Sequence, residues 1–123
     1  MKKTDTVETV YNAMKQPLSS TATEYISETV KRTYETSYNY DKNNLLERKE
    51  TIVKKPNSTE DDYTVIKTYC YNDRGDVVRA ESYVKGEEYE NGKTVEETVY
   101  DANGNVVKSY TYNSLDSSSK FYT

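Results

Sequence analysis

"VYDANGNVVKSYTYN", residues 99–113, decides how this chain folds. Asp101, Asn103, Gly104 and Asn105 crowd into five positions, with tyrosines and valines on both sides. Such a cluster is either a loop that cages a cation or a tight turn between two strands. A helix–loop–helix calcium site needs Gly at its sixth position and a bidentate Glu at its twelfth. Counted from Asp101, Gly104 is fourth and the twelfth residue is Tyr112. The turn accounts for every residue instead. Asp101 accepts a hydrogen bond from the backbone two residues on, and Gly104 supplies positive φ at the bulge that closes a type I hairpin turn. We expect a turn here and no metal.

The cluster recurs. "YCYNDRGDVVRAESY" (69–83) aligns with "TVYDANGNVVKSYTY" (98–112), so that Tyr71 meets Tyr100, Asn72 meets Asp101 and Gly75 meets Gly104. Weaker copies start at Tyr40, with Asn44 in place of Gly, and at Tyr11, with Lys15 there. The spacings are 29, 31 and 29 residues, which predicts about four units of ~30 residues. The tips near residues 12–16, 41–44, 72–75 and 101–104, Asp73 and Asn103 among them, should line up along one edge. Each unit also needs a second turn. "KKPNSTEDD" (54–62) supplies one, and Asn91-Gly92 in "YENGKTV" is a strong two-residue hairpin signal. In the first unit Ile26, Val30 and Tyr34 carry a helical spacing. Val30, Tyr34, Thr36, Tyr38 and Tyr40 share one parity, and strand is the preferred reading.

Composition agrees with strands. Leu, Ile, Val and Phe number only 20 of 123 residues, yet 14 Tyr, 16 Thr and 12 Val suit a pleated, half-wet surface. In 63–71 and in 105–112 neither face is purely polar. The expectation is an all-β, antiparallel hairpin-repeat meander, an extended or spiralling sheet with a thin Tyr/Val core. Residues 1–123 form one repeat region, part of a longer array. "SSSKFYT" reads as the start of another strand, and the many Lys and Glu would blunt the free edges. Cys70 sits in an alternating apolar stretch and is expected to pack as a small hydrophobe.

The motif Tyr-Asp/Asn-x-x-Gly-x followed by two aliphatic residues resembles the YD repeat, also called the RHS repeat. Residues 100–107 match it fully and 71–78 nearly so. That resemblance implies a large, mostly bacterial, secreted or surface-attached protein whose repeats form a long spiralling sheet, in toxin members a shell around a toxic domain. It implies a structural or partner- and carbohydrate-binding role, not catalysis. "YENGKTVEE" is also similar to the MORN-type repeat, which would imply a scaffold or antitoxin-like protein-binding module; the second Gly and the Trp of that unit are missing.

The remaining candidates are weighed by chemistry. With no His, a Ser-His-Asp or Cys-His system is impossible and zinc loses its usual ligands. Asp61-Asp62, Glu87-Glu88 and Glu96-Glu97 are adjacent pairs, and within a strand adjacent residues point to opposite faces. No enzyme activity and no cofactor is expected. A net charge of -4 with Lys and Arg evenly spread offers no nucleic-acid surface. No stretch is apolar enough for a membrane span, and "MKKTDTVETV" lacks the apolar run of a signal peptide. The expected location is extracellular or cell-surface for a piece of a larger protein, cytoplasmic for a complete chain. Arg74-Gly75-Asp76 spells an adhesion tripeptide but fills the repeat's own positions. Asn57-Ser58-Thr59 fits a glycosylation acceptor. The tyrosines remain: Tyr63, Tyr69, Tyr71, Tyr110 and Tyr112 offer a binding face for protein or cell-wall glycan, or stabilise the sheet as cross-strand pairs.

Overall fold

The structure, a computed structural model, describes residues 5–122, with side chains to residue 115. Among these residues nine strands run in chain order: β1 (Thr6–Tyr11), β2 (Pro17–Tyr25), β3 (Lys31–Tyr40), β4 (Leu46–Lys54), β5 (Asp61–Tyr71), β6 (Val77–Val84), β7 (Thr94–Tyr100), β8 (Val106–Asn113) and β9 (Asp116–Tyr122). One short helix, α1 (Glu88–Asn91), lies between β6 and β7. The strands form one open sheet whose spatial order is the chain order. All neighbours are antiparallel. No helix among the described residues is long and apolar enough to cross a membrane. Lys2 and Lys3, in the charged opening segment, lie outside the described residues.

Among the described residues the sheet has no second layer, so its core is made within the plane. Among the described residues four apolar side chains are buried: Val53, Ile66, Ala80 and Val95. The register explains all four. Val53 lies between Tyr34 and Tyr63, and Ala80 between Tyr69 and Glu96, on one face. Ile66 lies between Glu50 and Tyr83, and Val95 between Glu81 and Tyr112, on the other. Each buried residue is aliphatic and has at least one tyrosine directly across the ladder. Opposite side chains stand ~4.5–5.5 Å apart, so a large ring covers a small neighbour. The core is therefore thin, as expected, but the tyrosines are its roof and not its contents.

Over Val95 the roof is also ionic. Arg79 pairs with Glu81 and with Glu97, both at 2.8 Å. The Tyr112 hydroxyl donates to Glu97 at 2.6 Å. Lys93 lies 3.5 Å from Glu81 and 4.8 Å from the centre of the Tyr83 ring. Long Lys, Arg and Glu stems cover apolar surface while their heads stay wet. The hydrogen bond from Arg79 holds the Glu81 carboxyl below the usual carboxylate range.

Two expectations fail here. Asn91-Gly92 is not a two-residue hairpin turn. Such a turn would set Glu90 opposite Lys93, whereas the register that buries Ala80 and Val95 pairs Ser82 with Thr94. The surplus chain coils into α1, with Asn91 and Gly92 donating to the carbonyls of Glu87 and Glu88. Cys70 is exposed, not packed. It stands opposite Arg79 near the end of β5, where no layer covers the sheet.

The first unit does have its second turn. Ile26 donates to the Val30 carbonyl, and the Ser27 hydroxyl accepts from the backbone of Val30 at 3.2 Å. The backbone of β9 confirms the strand expected near the C-terminus. Ile66→Ala is expected to cost about 2–5 kcal/mol, while Val106→Ala, on a 58% exposed residue, should stay within ~0.5 kcal/mol. Urea unfolding of both variants checks the in-plane core; equal losses would refute it.

Candidate functional site

Four hairpin tips lie along one edge of the sheet, and they are built alike. Asn12, Asp41, Asn72 and Asp101 each open a tip. The side-chain oxygen of each accepts two backbone N–H bonds, from the residues two and four positions on, at 2.8–3.1 Å. The backbone closes each tip the same way: Asn12 donates to Gln16, Asp41 to Leu45, Asn72 to Asp76 and Asp101 to Asn105. The fourth residue of each tip has positive φ: 63° at Lys15, 64° at Asn44, 88° at Gly75 and 86° at Gly104. Gly is the natural occupant, Asn is tolerated, and Lys15 holds the conformation without either advantage. Asp73 lies within its tip, but Asn72 is the anchor. Asn103 contributes its N–H to Asp101.

The oxygen of Asp101 is thus occupied by its own turn. Among the described residues no group of His, Cys, Asp or Glu is placed to hold a metal ion. Hydrogen bonds from the backbone of Asn105, then of Asn103, lower the Asp101 pKa below its ordinary value.

The motif tyrosines lock one unit to the next. The Tyr40 hydroxyl donates to the Pro17 carbonyl at 2.7 Å, Tyr71 to Leu46 at 2.6 Å, and Tyr100 to Val77 at 2.9 Å. Each acceptor is the first residue of the strand that leaves the preceding tip. Burial raises the hydroxyl pKa of Tyr40 and of Tyr71. In all four tip hairpins the register shifts immediately before the motif tyrosine, at Tyr11, Tyr40, Tyr71 and Tyr100. Such irregularities re-aim a side chain.

The tips also touch one another. Gln16 donates its amide to the Asn44 carbonyl at 2.7 Å. Arg74 donates to the carbonyls of Ala102 and Asp101 at 3.1 and 3.2 Å, and pairs with Asp76 at 3.0 Å. The arginine of the adhesion tripeptide is therefore a clamp between tips. At the opposite edge Asn57 accepts from Lys31 at 2.9 Å and donates to Thr29 at 3.0 Å. Its amide nitrogen, the atom a glycan would take, already ties two turns together.

The register separates the five candidate tyrosines. Tyr63, Tyr69 and Tyr71 share the face of Val53, while Tyr110 and Tyr112 lie on the face of Val95. No single face carries all five. Tyr38 and Tyr40 join Tyr69 and Tyr71 instead, through the even parity of β3. That parity was the available signal. Between the second and third tips an open hollow is lined by Asp41, Leu45, Glu47, Tyr71, Asp73 and Arg74. It offers polar contact, and the exposed thiol of Cys70 also lines it.

Tyr71→Phe is expected to cost about 0.5–1.5 kcal/mol by removing one latch, and Tyr89→Phe, on a residue 89% exposed, nothing measurable; denaturant midpoints test the contrast. Asp101→Asn keeps the turn acceptor but cannot ionise. Because the folded Asp101 pKa is lowered, its ionic contribution is present above the unfolded value of ~3.9 and lost as pH falls through the folded value. The gap between wild-type and Asp101→Asn midpoints should therefore shrink from pH 7 into the acid range. A pH-independent gap would contradict this.

Compared with protein-family models, curated proteins and solved structures, the chain matches none of them.

Proposed function

We propose that this chain is a non-catalytic structural repeat segment of the YD kind, serving as wall, spacer or adhesion surface of a bacterial cell-surface or secreted protein. One observation carries the reading: the distinctive side chains are spent on joining units. The tip anchors satisfy their own turns, Tyr40, Tyr71 and Tyr100 latch onto the preceding unit, and Gln16 and Arg74 clamp neighbouring tips. Such nearest-neighbour bonding is the energetic pattern of repeat proteins, where each unit is stabilised by the ones beside it. The MORN-type reading loses its turn at Asn91-Gly92, and the glycan reading loses a common face for its five tyrosines.

The test is location and accessibility in the native host. An antibody against this segment should label intact cells or the secreted fraction, and external protease should remove the epitope from labelled cells. Recovery of the segment only from the cytosol, protected until lysis, would overturn the proposal.

A further inference from the structure

The four tips leave three junctions, and side chains bridge two of them. Between the first and second tips Gln16 donates to the Asn44 carbonyl at 2.7 Å. Between the third and fourth the Arg74 guanidinium donates to the carbonyls of Ala102 and Asp101 at 3.1 and 3.2 Å. Between the second and third tips no side chain of the described residues makes such a bond. Counted from each anchor, Arg74 stands third in its tip, and the third residue of the second tip is Asn43. The Asn43 side-chain amide has no hydrogen-bond partner among the described residues. Gln16 stands fifth in its tip, and the fifth residue of the second tip is Leu45, whose side chain has nothing to donate.

The open hollow lies at this unbridged junction. Its far wall is the third tip, which is built like the fourth. The Asn72 carbonyl accepts from the Gly75 N–H at 3.0 Å, as the Asp101 carbonyl accepts from Gly104 at 3.1 Å. The carbonyls of Asn72 and Asp73 therefore repeat the arrangement of those of Asp101 and Ala102, the pair that holds Arg74. Glycine stands fourth in both tips. A Cβ at Gly104 would lie 3.1 Å from Arg74 Nη1, so the guanidinium packs against bare backbone. A Cβ at Gly75 would meet Leu45 Cδ1 at 3.9 Å. The seat that Arg74 fills on the fourth tip is thus repeated on the third, where Leu45 gives it an apolar wall. Its charge suits a cation. Asp41, Glu47 and Asp73 line the hollow, and the side chains of Glu47 and Asp73 make no hydrogen bond or ion pair among the described residues. Among the described residues that line it the one cation is Arg74, which is tied to the fourth tip and to Asp76.

We propose that the hollow between the second and third tips binds an arginine side chain of a partner polypeptide. The incoming guanidinium donates to the carbonyls of Asn72 and Asp73, as Arg74 does to those of Asp101 and Ala102. It lies against Leu45 and faces the carboxylates of Glu47 and Asp73. A planar fork with several fixed donors matches two adjacent carbonyls, whereas a lysine ammonium offers a point charge. Exposed ion pairs contribute little, so the carbonyl pair sets the selectivity and the carboxylates add to it. The inference rests on the geometry of the tips and stands apart from the proposed cellular role.

Backbone amide chemical shifts of the full chain, titrated with the peptide acetyl-Gly-Arg-Gly-amide, are the test. Saturable shifts are expected at Asn72, Asp73 and Gly75, with a millimolar dissociation constant. The lysine counterpart should bind more weakly. The citrulline counterpart, similar in shape but uncharged, should bind about tenfold more weakly, because hydrogen bonds from a charged donor are the stronger. Asn43→Arg puts a guanidinium at the position Arg74 holds in the next tip. It should fill the seat from within and abolish binding, with amide shifts away from these tips unchanged. Glu47→Gln combined with Asp73→Asn should weaken binding about fivefold, the size of exposed ion pairs. Both carboxylates are exposed, so this double variant keeps the test open if Asn43→Arg fails to fold. No saturable shift at tens of millimolar peptide would overturn the proposal. So would lysine and arginine peptides that bind alike, which is charge attraction alone. Binding that neither Asn43→Arg nor the double variant weakens would place the contact elsewhere and overturn it as well.

Discussion

The hydroxyl of the motif tyrosine, bonded to a backbone carbonyl of the unit before it, is the constraint on which the sheet depends. Tyr40, Tyr71 and Tyr100 repeat that bond at each junction between units. A single such bond contributes only ~0.5–1.5 kcal/mol. Its value is positional. It holds the ring down across the neighbouring strand, in the zone where the register has just shifted and the ladder alone is least regular. Each tip is then a local structure, and the tyrosine is what makes it part of an array.

A sheet without a second layer has to shield its apolar residues with its own side chains. Val53, Ile66, Ala80 and Val95 are buried because a tyrosine stands across the ladder from each. Tyrosine does this well, since its ring covers area while its hydroxyl finds a partner. The same economy explains why an apolar fraction that looks too low for a globular core suffices. It also explains the ionic cover over Val95, where Arg79 and Glu97 add stems as well as charges.

Much of the architecture was legible because the relevant bonds are local. An Asx oxygen reaches N–H groups two and four residues on, so Asp101 and its counterparts could be read as turns from spacing alone. The strand preferred over residues 30–40 is β3, Lys31–Tyr40, with Val30 left in the preceding turn, and the signal is of the same local kind, a shared parity. The misreadings concern contacts between distant residues. Asn91-Gly92 favours a hairpin locally, but burial of Ala80 and Val95 fixes a register that puts the pair beside α1. Cys70 lies in a hydrophobic pattern, yet its exposure depends on what covers the sheet at that point. Tyr63, Tyr69, Tyr71, Tyr110 and Tyr112 are candidates for one face, and only the ladder shows which of them share one.

Residue order by itself determined the four tip positions, their spacing and the antiparallel meander, because hairpin tips are closed by bonds spanning two to four residues and short links leave neighbouring strands no other partner. Only the tertiary structure decided which side chains are buried, which carbonyl each tyrosine reaches and how the link before β7 coils. Those outcomes depend on register across strands ~30 residues apart, and a shift of one residue there exchanges the two faces.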